Sequence, residues 1–233
     1  LFDATAGAVR MHVTHLSGIV NSVVSGQVDI ALQAIDRRRT SIFDFTGTGM
    51  TPDLDADPAN YEVATGNLAL ANISAGNPIA VRGFPEAFGT AAPDFTGRTV
   101  IDFTDVRSAL GVGWGPDGTT APFLRMGADG LVLDNQNPAI DLRHYIKQGT
   151  VLIDLQSLDS DTTIVPPETG RTLYVIKTAD SLRQYSDFAE FVADLAASLG
   201  VANSARSMFA RGLYDADSNV FTALKLGVYL LEP

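Results

Sequence analysis

Cysteine is absent from the 233 residues, which excludes disulfides, thiol nucleophiles and cysteine-ligated metal centres. It assigns no compartment, since exported proteins also do without it. Histidine is nearly absent, with only His12, His15 and His144. His12 and His15 are three apart, so on a strand they face opposite ways, whereas a zinc site needs three or four converging ligands. Positive charge is scarce: 16 Lys and Arg stand against 27 Asp and Glu, for a net charge of −11. That argues against nucleic acid and anionic lipid surfaces as partners, because both require basic patches. The one basic run, Arg37-Arg38-Arg39, reads either as a solvated strand end or as an anion or partner contact. No apolar run approaches the ~20 residues of a membrane-spanning helix.

Catalytic signatures are missing as well. There is no G-x-S-x-G nucleophile elbow. Gly113, Gly115 and Gly118 match G-x-G-x-x-G. Pro116 and Pro122 spoil the helix that a dinucleotide fingerprint needs, so these glycines read as room for Trp114 to fold back onto a barrel. Paired carboxylates for glycoside hydrolysis need only lie ~5–9.5 Å apart in space, and nothing in the sequence selects a pair.

What is present is β patterning. Residues 12–36 contain two apolar-alternating runs around Ser25-Gly26; Val28, Ile30, Leu32 and Ala34 share a face opposite Asp29 and Gln33. This is a hairpin signal, and a half-buried hairpin must be covered by the rest of the chain. Further strands are expected at 40–47, 61–63, 79–84 and 98–103, with Gly76-Asn77-Pro78 as a turn. Residues 9–103 together suit a small closed barrel or sandwich.

The expected organisation is an N-terminal β-barrel at 1–104, an irregular connecting region at 105–150 with short strands at 131–133 and 142–146, and a C-terminal β unit at 151–233. The last carries strands at 151–155 and 172–178 and one amphipathic helix at 187–199. Asp187 is its N-cap, Glu190 completes a capping box, and Phe188, Phe191, Val192, Leu195 and Leu199 form the apolar face before Gly200. This helix is expected to cover a barrel end. The tail, 206–231, repeats the hairpin logic, with Leu224, Leu226, Val228 and Leu230 on one face. Gly18-Ile-Val and Gly212-Leu-Tyr open comparable units, a weak internal repeat. The fold class is therefore mainly β: two small antiparallel β-barrels or sandwiches, OB-like, with one amphipathic helix. The start at Leu1, in mid-pattern, suggests that an N-terminal part has been removed.

Aspartate clusters are the leading chemical feature. Asp53, Asp55 and Asp57 form D-x-D-x-D, with Asn60 and Glu62 following, and Asp215, Asp217 and Asn219 form D-x-D-x-N. Alternating loop carboxylates can converge on Ca²⁺, which takes six to eight oxygens. Neither loop is an EF-hand: position six is Pro58 or Val220 rather than Gly, and position twelve is Ala64 or Leu226 rather than Glu. The two readings of Asp53, Asp55, Asp57, Asn60 and Glu62 are a looser calcium site and Asx-turn capping of backbone N–H groups. Trp114, Tyr145, Tyr185 and Tyr229 are candidate glycan-stacking aromatics, with core packing as the alternative.

Three segments carry a resemblance: G-I-V-x-S-V at 18–23, I-S-A-G-N-P-I-A-V-R-G at 73–83 and A-R-G-x-Y-D-x-D-S-N-x-F-T-A at 210–223. They resemble a bacterial family of small β-barrel domains of unknown function, often in tandem, in exported proteins and lipoproteins of Gram-negative bacteria. The resemblance implies a barrel fold and an extracellular or cell-surface location, with periplasm or outer membrane as the alternative. It implies no catalytic residues. The expected function is a non-enzymatic structural or assembly protein that self-associates through edge strands into a filament or array. A glycan- or calcium-binding module is the alternative, and an uncharacterised hydrolase is the third reading.

Overall fold

A computed structural model describes residues 12–200 and 203–232. The expected strand start at residues 9–11, and the reading of the chain's opening, lie outside the described residues. The fold is mainly β with one α-helix. It divides into two compact units between Phe103 and Thr104.

The first unit contains β1 (Thr14–Val24), β2 (Gln27–Ile35), β3 (Arg38–Arg39), β4 (Tyr61–Ala64), β5 (Pro78–Pro85) and β6 (Phe95–Asp102). Strand order is β1-β5-β6-β4-β2, and β1 also pairs with β2, so five strands close into a barrel. All contacts are antiparallel except β4 with β6. This is an OB-like five-stranded barrel. Alternation places Leu16, Val20, Val28, Ile30, Val63, Ile79, Val81 and Phe95 in the core.

Closure requires β1 to bend so that it serves β5 on one side and β2 on the other. It does so at register shifts after Ser17 and Val20. Gly18 follows the first shift, and a Cβ there would lie 2.3 Å from the Ala31 carbonyl oxygen. Gly83 of β5 repeats the device: a shift precedes it, and its Cβ would lie 2.0 Å from Thr96 O. A bulged strand bends and approaches its neighbour closely, and only glycine fits there.

One expected strand is not formed. Residues 40–47 make a 3₁₀ turn, Thr40–Ile42, and then an irregular loop. Asp44 explains the loss, because its Oδ1 accepts from both the backbone N–H (3.0 Å) and the hydroxyl (2.6 Å) of Thr46. Such local bonds compete with a ladder for the same backbone.

The second unit contains β7 (Ser108–Trp114), β8 (Phe123–Gly127), β9 (Gly130–Leu133), β10 (Ile140–Gln148), β11 (Val151–Asp154), β12 (Thr163–Val165), β13 (Leu173–Lys177), β14 (Leu182–Tyr185), α1 (Phe188–Gly200), β15 (Ser204–Asp215) and β16 (Val220–Leu231). These ten strands form one sheet, ordered β11-β10-β7-β15-β16-β12-β9-β8, with β13 also on β16 and β14 on β13. The expectation of an irregular connector at 105–150 is overturned. Residues 108–114 form β7, which lies between β10 and β15 in the sheet, and the short strands expected at 131–133 and 142–146 fall within β9 and β10. The glycines at 111 and 113 made β7 read as a loop. They are buried within the strand instead, paired on one side with β10 and on the other with β15.

Helix α1 begins where Asp187 Oδ1 accepts the Glu190 N–H at 2.9 Å. Its buried face presents Phe188, Phe191, Val192, Leu195 and Leu199, and it packs on β8, β13 and β14. Tyr174 of β13 meets the Phe188 and Phe191 rings at 5.2 and 5.6 Å. On the flank, Arg183 of β14 donates to Asp194 Oδ1 at 2.7 Å and to Ser198 Oγ at 2.8 Å. The β15–β16 hairpin contains a third glycine bulge, a shift between Arg211 and Gly212, where a Cβ would lie 1.8 Å from Thr222 O. The bulge takes Leu224 out of the expected apolar row, and the buried face is Ala223, Leu226, Val228 and Leu230.

Candidate functional site

In the Asp-rich loop that the sequence singled out, the side chains serve neighbouring backbone, amide and hydroxyl groups. Asp55 Oδ1 accepts the Gly49 N–H at 2.8 Å. Asp57 Oδ1 accepts the Ala59 N–H at 2.8 Å, capping the 3₁₀ turn Pro58–Asn60. The Thr51 hydroxyl holds the Asp53 carboxyl below its ordinary value. Asn60 Oδ1 accepts from Asn21 Nδ2 at 3.1 Å, and Glu62 faces Gln27 from β4. Among the described residues no three His, Cys, Asp or Glu gather as a metal ion would require. The second loop is equally local: Asp215 Oδ1 takes the Asp217 N–H at 3.0 Å and Oδ2 the Ser218 hydroxyl at 2.6 Å. Asn219, at φ 50°, turns its amide inward to Thr162, Tyr214 and Ser160.

The cavity lies elsewhere in the same barrel. The start of β1, the end of β2, the loop from 40 to 60 and the β5–β6 loop enclose about 270 Å³. Its apolar lining includes Leu16, Phe43, Phe45, Tyr61, Phe88 and Phe95. Phe45 and Tyr61 meet edge to face at 6.3 Å. Phe88, 78% exposed, stands at the mouth on the β5–β6 loop.

Four carboxylates complete the lining: Asp36, Asp44, Glu86 and Asp94, and no Lys or Arg is among the lining residues. Each is placed by its own hydrogen bond. Asp36 Oδ1 accepts the His15 N–H at 2.9 Å, at a tight turn where Asp36 and Arg37 adopt φ 47° and 66°. Asp44 is fixed by Thr46, which holds its carboxyl below the ordinary value. Glu86 accepts from the Thr96 hydroxyl. Asp94 Oδ2 accepts the Glu62 N–H at 3.0 Å.

The rim is electrostatically uneven. Burial raises the Asp94 carboxyl; the Glu62 N–H opposes this and nearby Asp57 adds to it. Glu62 is raised by its own burial and then by the charges of Asp94 and Asp29, with Asp29 directly across the β2–β4 ladder. Burial and Asp94 push the Tyr61 phenol far above its ordinary range. An aromatic floor under a carboxylate rim can grip the C–H face of a ring and accept its hydroxyl protons.

No family model, curated protein or solved structure matches this chain. The site must therefore be judged on its own chemistry.

None of the aromatics that the sequence singled out, Trp114, Tyr145, Tyr185 and Tyr229, lines the cavity. Trp114 is fully buried at the end of β7, and the Tyr185 hydroxyl donates to Asp194. Phe43 and Phe45 read in the sequence as part of a strand at 40–47, and Phe88 fell between the strands expected at 79–84 and 98–103; all three sit in loops at the cavity. The expected strand hid Phe43 and Phe45, because a strand would have buried them elsewhere.

Proposed function

We propose that this chain is a non-catalytic binding protein of the cell exterior, and that its first unit takes a glycan end in the barrel cavity. The observation that carries this reading is the lining itself: aromatic rings beneath four carboxylates, without a cation. Small-ligand sites span about 300–1,000 Å³, so a cavity of about 270 Å³ suits one sugar residue rather than a polymer. OB barrels bind oligosaccharides and oligonucleotides on this kind of surface. An acidic rim repels phosphate, which favours the sugar over the nucleic acid. The exterior location, surface or periplasm, rests on the family resemblance. A glycan panel screened by calorimetry tests the proposal, with Phe45→Ala and Asp44→Asn as variants. At least one neutral glycan should bind saturably, with affinity falling about tenfold in each variant. No saturable binder, or binding indifferent to both changes, would reject it.

A second reading, self-association, belongs to the second unit. Its sheet has ends at β8 and β14, and each carries an exposed leucine: Leu124 and Leu182. Open edges with apolar side chains favour strand addition between copies. Light scattering across concentration, with Leu124→Lys, tests this: the wild type should grow in mass and the variant should not.

A further inference from the structure

In a chain of net charge −11, one groove of the second unit is wholly basic. Lys147 of β10, Arg211 of β15 and Lys225 of β16 lie in a single cross-strand row. Lys147 pairs with Ala109, Ala109 pairs with Arg211, and Arg211 pairs with Lys225. Residues directly opposite one another share a face, so the three cations project to the same side, flanking the short Ala109. Arg107 joins them from the entry to β7, and the groove encloses about 360 Å³. Only three lysines occur in the chain, and two of them are here.

Among the described residues no ion pair neutralises this row. No carboxylate is among the lining residues. None of the four cations enters an ion pair among the described residues, whose pairs are Arg125–Asp129, His144–Asp154 and Arg183–Asp194. Arg211 is steadied instead by the Phe209 ring, 5.5 Å from its guanidinium carbon. Gly212, at the bulge beside it, and Gly149, in the β10–β11 turn (φ 60°), complete the lining together with Ser108, Ala109 and Leu224. Cross-strand like charges repel, and surface cations of a strongly acidic chain ordinarily pair with its many carboxylates. Four left together at one recess are an arrangement that an anion stabilises.

We propose that this groove is a binding site for a small oxoanion bearing two or more negative charges, a phosphate or phosphate ester. Arg107 and Arg211 offer forked N–H donors and Lys147 and Lys225 offer point charges, the combination that recognises phosphate. The ligand is soluble rather than a lipid headgroup, because the net charge of −11 repels an anionic bilayer.

The test is calorimetric titration of the whole chain with inorganic phosphate and pyrophosphate at constant ionic strength. The variants are Arg211→Gln and Lys225→Gln, with Arg125→Gln as a control outside the groove. Pyrophosphate should bind saturably and more tightly than phosphate, and each groove variant should weaken it about tenfold while the control does not. Circular dichroism establishes that the variants are folded. Absence of saturable heat, or equal loss in the control, overturns the proposal. Co-sedimentation with phosphatidylglycerol vesicles without pyrophosphate binding would overturn it too, in favour of a membrane contact.

Discussion

At the residue scale, three glycines and a few carboxylates set the terms. Gly18, Gly83 and Gly212 each follow a bulge, and a methyl group at any of them meets a partner carbonyl oxygen within 2.3 Å. Gly18→Ala should therefore destabilise the first unit by about 2–3 kcal/mol, the cost of overpacking against backbone that cannot yield. Urea denaturation checks this; a loss under about 0.5 kcal/mol would contradict the bulge geometry. Asp55→Ala removes the acceptor of the Gly49 N–H and should cost about 1 kcal/mol equally with and without millimolar Ca²⁺. A cost seen only with Ca²⁺ would restore the metal reading of that loop.

Asp94 and Glu62 give a pH dependence of stability. Their folded carboxyls titrate above their ordinary values, so folding takes up protons there. The stability they contribute is fully present below the ordinary carboxylate range and is lost as pH rises through the raised folded values. Asp94→Asn should flatten this decline, measured by urea midpoints from roughly pH 4 to 7. An unchanged slope would place the titrating groups elsewhere.

At the element scale, α1 is the part most legible in the sequence, and the loops are the least. Phe188, Phe191, Leu195 and Leu199 recur at helical spacing behind an Asp cap, and the helix formed with its apolar face buried. Phe191, fully buried between Tyr174 and Phe188, should cost about 3–5 kcal/mol as Phe191→Ala. Near-UV circular dichroism and thermal melts read that loss. Hairpin β1–β2 was legible for the same reason, because period-two alternation ends at Gly26 in a left-handed turn. Strand β7 was not, since Gly111 and Gly113 carry no side chain to show a period. Residues 43–45 alternate like a strand, yet Asp44 bonds locally and leaves Phe43 and Phe45 to line the cavity. The bulge at Leu224 was invisible because nothing local in a sequence announces a register shift. The four rim carboxylates span 36 to 94 and meet only through barrel closure, so no spacing rule could group them.

At the scale of the whole molecule, the two units differ in how they handle sheet edges. The first closes its five strands on themselves and leaves a cavity at one end of the barrel. The second keeps open edges and a basic row on its sheet. Charge is distributed to match: the charged residues lining the cavity of the first are all acidic, and those lining the groove of the second are all basic. We therefore propose a neutral, hydroxyl-rich ligand for the first unit and an anion for the second. Glycan binding in the barrel cavity is the proposal on which the rest depends. Two-dimensional amide NMR of the chain, titrated with a glycan taken from the panel, tests it most directly. The expected result is a set of saturable shifts confined to residues 14–16, 35–36, 43–48, 56, 61 and 85–95. Shifts scattered over the second unit alone, or none at millimolar glycan, would contradict it.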